Sequence, residues 1–479
     1  MTAVSPAPAV TIWGEAIVNP GQAFPLTPLT PTSGHIPAEI AGSLYRNGPG
    51  RQNRGEMTTG HWFDGDGAIL GVHFKNGAAQ ATYQYVQTRG YLAEAKANRY
   101  LYPNYGMAAP GPCWNTWGKL AKNAANTSVL ALPDQLLALW EGGGSPYALD
   151  LETLETQGIE NFGALKPNEP FSAHPKIDPV SGEIFNFGMM PGFPTKILLY
   201  RHDVTGKLLK RGDFILKGTP LVHDVCLVGP YLVFLVPPVR INLLSVISGF
   251  QPFKNAMQWQ PDLGTEIYIC DRESLTLVAK GKTDPFFQWH VVNGYQHQDR
   301  LILEVARYPD FKTNQNTAEI AKGFIKTRAQ ATLWRLEIDP QTGTVTHQSE
   351  LIGHGCEFPT VPTHQIGENW RYTFMSAMRT LHDSSDELFG AIATYDRETG
   401  QLNLVDPGEN CYPIEPIFVP EMQGSDQGWL LTVVYDGNRK CSEVHIYESS
   451  LINPEPICVL PLPGVVPPGF HGTWREQRF

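Results

Sequence analysis

Four of the 14 histidines lie in apolar stretches that are far apart along the chain. They are His174, His223, His290 and His471. Neutral imidazole is a good ligand for iron, copper and zinc, so four such side chains brought together would form a metal site. The sequence contains neither an H-E-x-x-H motif nor a zinc-finger spacing, so distant segments would have to supply the ligands. A single buried histidine is more often a hydrogen-bonded core residue, and the residues alone leave both interpretations open.

Three glutamates in apolar or Gly/Pro-rich settings have the chemistry to orient histidine ligands. They are Glu141, Glu357 and Glu415. A metal-bound histidine usually donates its second ring N–H to a carboxylate, which fixes the orientation of the ring. A buried carboxylate without a partner is costly, so each glutamate is expected to have one. For each of them, a helix cap, a salt bridge or a backbone group is the alternative to a histidine.

The segments that have to position these residues are mostly typical of short β-strands closed by turns. The 46 glycines and 40 prolines indicate many turns. One turn recurs along the chain. A strand ends in Asp, a Thr or Ser follows shortly after, a Gly or Leu comes next, and then another strand begins. An Asp side chain there accepts a hydrogen bond from the backbone two residues on. The turn begins at Asp150, Asp203, Asp271, Asp339 and Asp396.

This repeat of roughly 50–70 residues predicts an all-β fold, a seven-bladed β-propeller over residues 1–479, with a pair of β-sandwiches as the alternative. The first three histidines are separated by about one blade each, and His471 follows about three blades later. The innermost strands of a propeller converge on its axis, so histidines at one height would surround a single ion. The stretches 91–126 and 237–260 do not follow this strand repeat. We expect them to be insertions on one face of the propeller, where loops carry function.

Composition excludes several classes of protein. The chain has 36 Lys+Arg and 47 Asp+Glu, and the formal net charge of −11 disfavours a nucleic-acid partner. The 7 cysteines show no C-x-x-C spacing, which favours a reducing compartment over a disulfide framework. The N-terminus lacks the features of a signal peptide, and no apolar run is long enough to span a membrane as a helix. We therefore expect a cytoplasmic protein.

At the residues above, the chain resembles the carotenoid cleavage oxygenase family, and in particular its cyanobacterial apocarotenoid-cleaving members. Matching segments run from residue 42 to residue 474. They include Gly-Ser-Leu-Tyr-Arg-Asn-Gly-Pro-Gly (42–50), His-Trp-Phe-Asp-Gly-Asp-Gly (61–67), Ser-Ala-His-Pro-Lys (172–176), Val-His-Asp (222–224), Trp-His-Val-Val-Asn (289–293), Cys-Glu-Phe-Pro (356–359) and Phe-His-Gly-Thr-Trp (470–474).

The resemblance implies a propeller with one Fe(II) on its axis, bound by the four histidines, and the three glutamates as outer acceptors for three of them. It also implies a helical and loop dome over the metal face, enclosing an apolar tunnel. Thr127 matches a family position whose methyl group lies near an open coordination position. The implied reaction is cleavage by O₂ of a conjugated C=C bond in a carotenoid or apocarotenoid, giving aldehyde or ketone products of the retinal type.

Aromatic residues near these motifs are candidates for the tunnel wall, although core packing is an equally good explanation for each. They are Trp140, Trp289, Phe287 and Phe358. In stilbene-cleaving relatives, a lysine occupies the position just before the first glutamate, and Trp140 stands there in this chain. A carotenoid-derived substrate is therefore favoured. A stilbenoid-cleaving dioxygenase, an isomerase of the same family and a carotenoid-binding propeller without turnover are the alternatives.

A carotenoid, the substrate that the resemblance implies, dissolves in membranes, and the segment 236–259 is suited to reach it there. The segment is apolar and is flanked by Arg240 and Lys254, which is typical of a peripheral membrane patch with basic edges. A buried cover over the tunnel is the alternative for this segment. The spacing of residues does not specify which double bond is cleaved.

Overall fold

The protein is a seven-bladed β-propeller in the computed structural model, which describes residues 8–167, 169–381 and 386–477. Each blade is an antiparallel sheet whose first strand in the following lists is the innermost. Blade 1 consists of Gly472–Glu476, Gly42–Arg51, Asp66–Lys75, Ala78–Tyr85 and Phe24–Leu29. Blade 2 consists of Ser128–Ala131, Leu136–Leu139, Tyr147–Leu149 and Thr156–Ile159. Blade 3 consists of Lys176–Ile177, Ile184–Met190, Thr195–His202 and Leu208–Leu216.

The remaining blades follow the same order. Blade 4 consists of Cys226–Val228, Tyr231–Val236, Thr265–Asp271 and Thr276–Thr283. Blade 5 consists of Val291–His297, Arg300–Arg307, Thr332–Ile338 and Val345–Ile352. Blade 6 consists of Cys356–Thr360, Tyr372–Ala377, Ala391–Asp396 and Gln401–Val405. Blade 7 has a split inner strand and consists of Cys411–Pro413 with Ile417–Pro420, Gly428–Asp436, Cys441–Glu448, Cys458–Pro461 and Ser33–Gly34.

The recurring aspartate turn joins the third and outermost strands of blades 2 to 6, as the repeat predicts. In each turn the Asp carboxylate accepts a backbone N–H two or three residues on, for example from Thr205 to Asp203 at 2.9 Å and from Gln341 to Asp339 at 2.8 Å. Blade 1 closes the ring, because the C-terminal strand Gly472–Glu476 pairs with Gly42–Arg51. The hydrophobic core lies between successive blades, where each pair of neighbouring sheets buries its own cluster.

Insertions between strands cover one end of the propeller and form the dome. The first contains the helix Arg89–Ala97, which begins where Thr88 Oγ1 accepts the Tyr91 N–H and ends at Asn98 in the left-handed conformation. The second, within 237–264, contains the helix Leu243–Ile247 and a two-stranded sheet of Val239–Ile241 with Met257–Trp259. A third insertion, absent from the expectations above, follows Arg300–Arg307 and contains the helix Thr313–Ile320.

Tyr105 links the three insertions. Its carbonyl accepts the Lys254 N–H at 2.8 Å, and its hydroxyl donates to Asn314 Oδ1 at 3.0 Å. The fourth helix, Ile12–Val18, packs near the same end of the propeller. Within the described ranges, no helix has the length and hydropathy that a membrane span requires.

Candidate metal centre

The four histidines stand at equivalent places, just before the innermost strands of four blades. His290 and His471 immediately precede their strands, whereas His174 and His223 lie two and three residues before theirs. The starts of the inner strands therefore place all four imidazole rings at the dome end of the propeller axis. Thr127 immediately precedes the inner strand of blade 2 in the same way.

The rings form a compact cluster. Centroid distances are 4.4 Å from His174 to His223, 5.3 Å from His223 to His290, 4.7 Å from His290 to His471 and 4.9 Å from His471 to His174. The candidate ligand atoms of His174, His290 and His471 lie within 4.8 Å of one another. The Nε2 atoms of His174 and His290 are buried and have no hydrogen-bond partner among the described residues, as expected of nitrogens that face a cation.

Carboxylates lie on the outer side of three rings. Glu357 Oε2 is 2.5 Å from His290 Nδ1, and Glu415 Oε1 is 2.8 Å from His471 Nδ1. Glu141 Oε1 lies 3.5 Å from His223 Nδ1, near it but without a hydrogen bond of good geometry. These contacts hold Nδ1 as the donor in two rings and leave Nε2 free to bind a metal.

His174 has no glutamate on its Nδ1 side. Its Nδ1 lies 4.0 Å from Asp224 Oδ1, too far for a hydrogen bond, and that oxygen accepts from Lys176 Nζ at 2.9 Å and from the Val225 N–H at 2.7 Å. The sequence reasoning did not assign Asp224 or Lys176 a place at the site. Both residues lie inside motifs that carry the family resemblance, which was the available signal.

Burial sets the charge state of the cluster. It lowers the pKa of His174 and His223 well below the ordinary value, and the neighbouring imidazoles lower it further. Burial also lowers the pKa of His471, although Glu415 offsets part of the effect. Burial acts to lower the pKa of His290 as well, but the carboxylates of Glu357, Asp224 and Glu415 together outweigh it and raise that pKa. Burial likewise raises the pKa of Glu141. Neutral imidazoles are the form that binds metals.

Arg46 is a second buried partner that sequence reasoning missed. Its guanidinium donates to Glu415 Oε2 at 2.5 Å and to the carbonyls of Glu415 and Phe470. Burial favours the neutral carboxyl of Glu415, but His471 and Arg46 prevail and lower its pKa. The requirement that a buried carboxylate be paired was the signal for this residue.

A channel passes the cluster and extends in two directions. The Trp140 arm is lined by Trp140, Pro191, Leu120, Ile247 and Phe253, among others. The Phe358 arm is lined by Phe358, Phe389, Ile320, Tyr412 and Glu387, among others. The arms share Phe63, Thr127, Glu141, His223 and Trp289, so they meet beside the histidines. Counting their open mouths, the arms enclose about 1700 and 1240 Å³ respectively.

Three of the four aromatic candidates line this channel. Trp140 lines one arm, Phe358 lines the other, and Trp289 lines both. Phe287 lines neither arm. Its ring is fully buried behind Trp289, with centroids 4.7 Å from both Trp289 and Phe311, so it belongs to the core under the dome.

Thr127 lines both arms, and its hydroxyl group is already hydrogen-bonded within the protein. Its Oγ1 donates to Asn126 Oδ1 at 3.2 Å and accepts the Glu141 N–H at 3.2 Å. The methyl group is therefore the part of the side chain that remains for the channel.

Comparison with known proteins agrees with this geometry. The sequence model of the protein family described as retinal pigment epithelial membrane protein matches residues 19–476 of this chain. The chain belongs to this family. It is 31% identical to the apocarotenoid-15,15'-oxygenase of Synechocystis sp. over 455 residues, covering 92% of each chain.

Other relatives are named for other compounds. The resveratrol cleavage oxygenase 1 of Aspergillus fumigatus is 26% identical, over 93% of this chain and 91% of its own. The isoeugenol monooxygenase of Pseudomonas nitroreducens is 28% identical, over 92% and 93%. Among solved structures, cobalt-substituted Synechocystis ACO superimposes with a TM-score of 0.89 at 30% identity, over 97% of this chain and 98% of the other.

Proposed function

We propose that the protein is an Fe(II)-dependent dioxygenase that cleaves a conjugated C=C bond of a carotenoid or apocarotenoid. The observation that carries this proposal is the position of the four imidazoles, at the junction of two largely apolar channel arms. An elongated polyene lying through both arms would present one of its double bonds to the cluster. The family membership and the name of the Synechocystis relative support this substrate class.

The histidines suit iron in this role. The four histidines would hold the ion, because neutral imidazole is a donor that Fe(II) accepts. Ferrous iron, when bound, supplies the one-electron chemistry that dioxygen needs in order to react with an alkene. In the overall reaction the C=C bond breaks, the two atoms of one O₂ become two carbonyl oxygens, and no external reductant is consumed.

The chain's own residues position the substrate and keep the site dry. Trp289 and Phe63 line the junction and pack edge to face, with centroids 5.3 Å apart. The methyl of Thr127 limits the space beside the cluster, and Glu357 and Glu415 hold two of the rings in orientation. Holding the double bond in place is the contribution that protein groups make to such a reaction.

A direct assay tests the proposed function. Protein reconstituted with Fe(II) without oxygen is mixed with an apocarotenal and then exposed to isotopically labelled dioxygen. Two carbonyl fragments, each carrying the label, support the proposal. An unchanged mass with altered double-bond geometry would indicate an isomerase, and retained pigment without change would indicate a binding protein. Cleavage of resveratrol in preference to the apocarotenal would indicate stilbenoid cleavage, which Trp140 beside Glu141 disfavours.

The proposal includes peripheral binding to membranes through the mouth of the Trp140 arm. Leu244 and Phe250 are 69% and 77% exposed on the helix and turn whose Ile247 and Gln251 line this arm, and Leu120 of the first insertion lines it as well. Trp117 Nε1 donates to the Ser248 carbonyl at 2.7 Å, so the two insertions form one surface. Exposed apolar side chains around a tunnel mouth suit extraction of a lipid-dissolved substrate.

Only part of the expected segment 236–259 belongs to this surface. Val236, Ile241 and Met257 are buried, and Arg240 is paired with Glu266 at 3.1 Å and does not form a free basic edge. The exposed large apolar side chains of the segment, Leu244, Ile247 and Phe250, are confined to the helix Leu243–Ile247 and the turn after it. The cytoplasmic location expected from the sequence stays a prediction.

Co-sedimentation with phospholipid vesicles tests the membrane proposal. We expect the wild-type protein to pellet with vesicles and the double variant Leu244→Ser, Phe250→Ser to remain largely in the supernatant. Val180→Ser is the matched control, because Val180 is 86% exposed in the turn between Lys176–Ile177 and Ile184–Met190, at the end of the propeller away from the dome. Equal pelleting of the double variant and the wild type would contradict this surface.

A further inference from the structure

The two arms of the channel end differently. The outer end of the Trp140 arm carries exposed apolar side chains such as Leu120 and Ile247. In the Phe358 arm, two phenyl rings extend away from the metal centre. His290 and Phe358 are 5.2 Å apart between centroids, and Phe358 and Phe389 are 6.3 Å apart. The lining of this arm also includes Glu387, Tyr412 and Arg328, and the Arg328 side chain, which is 57% exposed, marks its outer end.

Tyr412 and Glu387 form a polar pair in that arm. Tyr412 is 2% exposed, and its hydroxyl donates to Glu387 Oε1 across 3.4 Å, a long hydrogen bond. Glu387 Oε2 is held by Arg379 Nε at 3.2 Å, and Arg379 is itself fixed by the carbonyls of Gly408 and Cys411. Burial and the neighbouring Glu387 raise the pKa of Tyr412, so its hydroxyl stays protonated.

The same arm contains two further buried donors. Ser376 is 1% exposed and its Oγ is buried, as is Nε1 of Trp62. Neither atom has a hydrogen-bond partner among the described residues. Both residues line the Phe358 arm. Buried donors of this kind need a water or a ligand oxygen, so this arm suits an oxygenated group better than a plain hydrocarbon.

We infer that the Phe358 arm binds the hydroxylated end of a polyene substrate, with Tyr412 and Glu387 as the residues that select it. A terminal hydroxyl is both donor and acceptor, so one placed beside this pair can donate to the Glu387 carboxylate and accept from the Tyr412 hydroxyl. This inference rests on the proposed function and narrows its substrate class to polyenes with a hydroxylated ring.

Two matched apocarotenals test the inference, one with a hydroxyl on its ring and one without. Their dissociation constants are measured with iron-free protein by quenching of tryptophan fluorescence, and kcat/KM is measured with the Fe(II) enzyme. We expect the wild type to prefer the hydroxylated compound by about tenfold or more in both measurements, because a site built to bind a hydroxyl disfavours the analogue that lacks it. In Tyr412→Phe and in Glu387→Gln, the preference should fall to about one- to threefold.

Tyr435→Phe is the matched control, because Tyr435 is buried in the same core cluster but does not line the channel. Its preference should equal that of the wild type. Equal affinity of the wild type for both compounds, or an undiminished preference in both variants, would overturn the inference. Failure of the proposed function would look different, because the binding preference would persist while neither compound is cleaved.

Discussion

At the scale of single residues, the site depends on carboxylates that hold histidines in place. Glu357 is the clearest case, since its Oε2 contacts His290 Nδ1 at 2.5 Å. Glu357→Gln keeps the shape of the side chain but removes its charge, and we expect metal affinity to fall by about 10- to 100-fold. Competition with a chelator measures this change. Glu350→Gln, an exposed position in blade 5, is the control and should bind metal as the wild type does.

Arg46 supports the same arrangement from the opposite side of Glu415. Both side chains are almost fully buried, so Arg46→Met leaves a carboxylate without its cation. We expect a loss of about 3–5 kcal/mol in the free energy of unfolding, measured by urea denaturation of the iron-free protein. Lys196→Met removes an exposed ion pair with Asp213 and should cost at most about 1 kcal/mol. A similar loss in both variants would contradict the role given to Arg46.

The identity of the site residues could be predicted from the sequence, whereas most of their contacts could not. The histidines and glutamates stood out by their apolar settings, and the structure brings all seven to one place. Arg46, Asp224 and Lys176 were missed because a buried ion pair depends on which strands lie next to each other. Sequence spacing does not contain that information for residues hundreds of positions apart.

At the scale of elements, turn chemistry was the most informative signal. The aspartate turns marked five of the seven blades because each is a local interaction within a few residues. The closure of blade 1 by Gly472–Glu476 was not predicted, since it pairs the two ends of the chain. The helix Thr313–Ile320 was also missed, because its polar sequence resembles an ordinary loop.

Asp64 connects the dome to the propeller, and the shifted pKa of its carboxyl group leads us to expect that stability depends on pH. Its carboxylate accepts the Gly106 N–H at 2.9 Å, and its carbonyl accepts from Asn104 Nδ2 at 3.1 Å. Burial raises the pKa of Asp64 to about 7, which the Gly106 N–H and Lys122 only partly oppose. The folded protein therefore holds a proton that the unfolded chain releases near pH 4.

A raised carboxyl pKa stabilises the fold at low pH, and this contribution is lost as the pH rises through about 7. The loss begins near pH 4, where the unfolded chain releases its proton, and between about pH 6 and pH 8.5 we expect its last part, a fall of about 1.4 kcal/mol in the free energy of unfolding. Asp64→Asn retains a hydrogen-bond acceptor and should remove that part of the pH dependence. Urea denaturation at several pH values measures it, and an unchanged pH profile in the variant would contradict this account.

At the scale of the whole molecule, the propeller explains why distant residues form one site. Seven blades bring the starts of their inner strands to one end of the axis, and the dome turns that end into a channel with two arms. Cleavage at the junction would place one product in each arm. The fold could be predicted from its repeat, whereas the length and polarity of each arm depend on how the insertions pack.

The central claim is that these four imidazoles hold one ferrous ion. The most direct test is the iron content of protein reconstituted with Fe(II) without oxygen and freed of excess metal. We expect about one iron per chain in the wild type and in His347→Ala, an exposed histidine of blade 5, and almost none in His290→Ala. Wild-type protein that retains no iron, or His290→Ala that retains as much as the wild type, would contradict the claim.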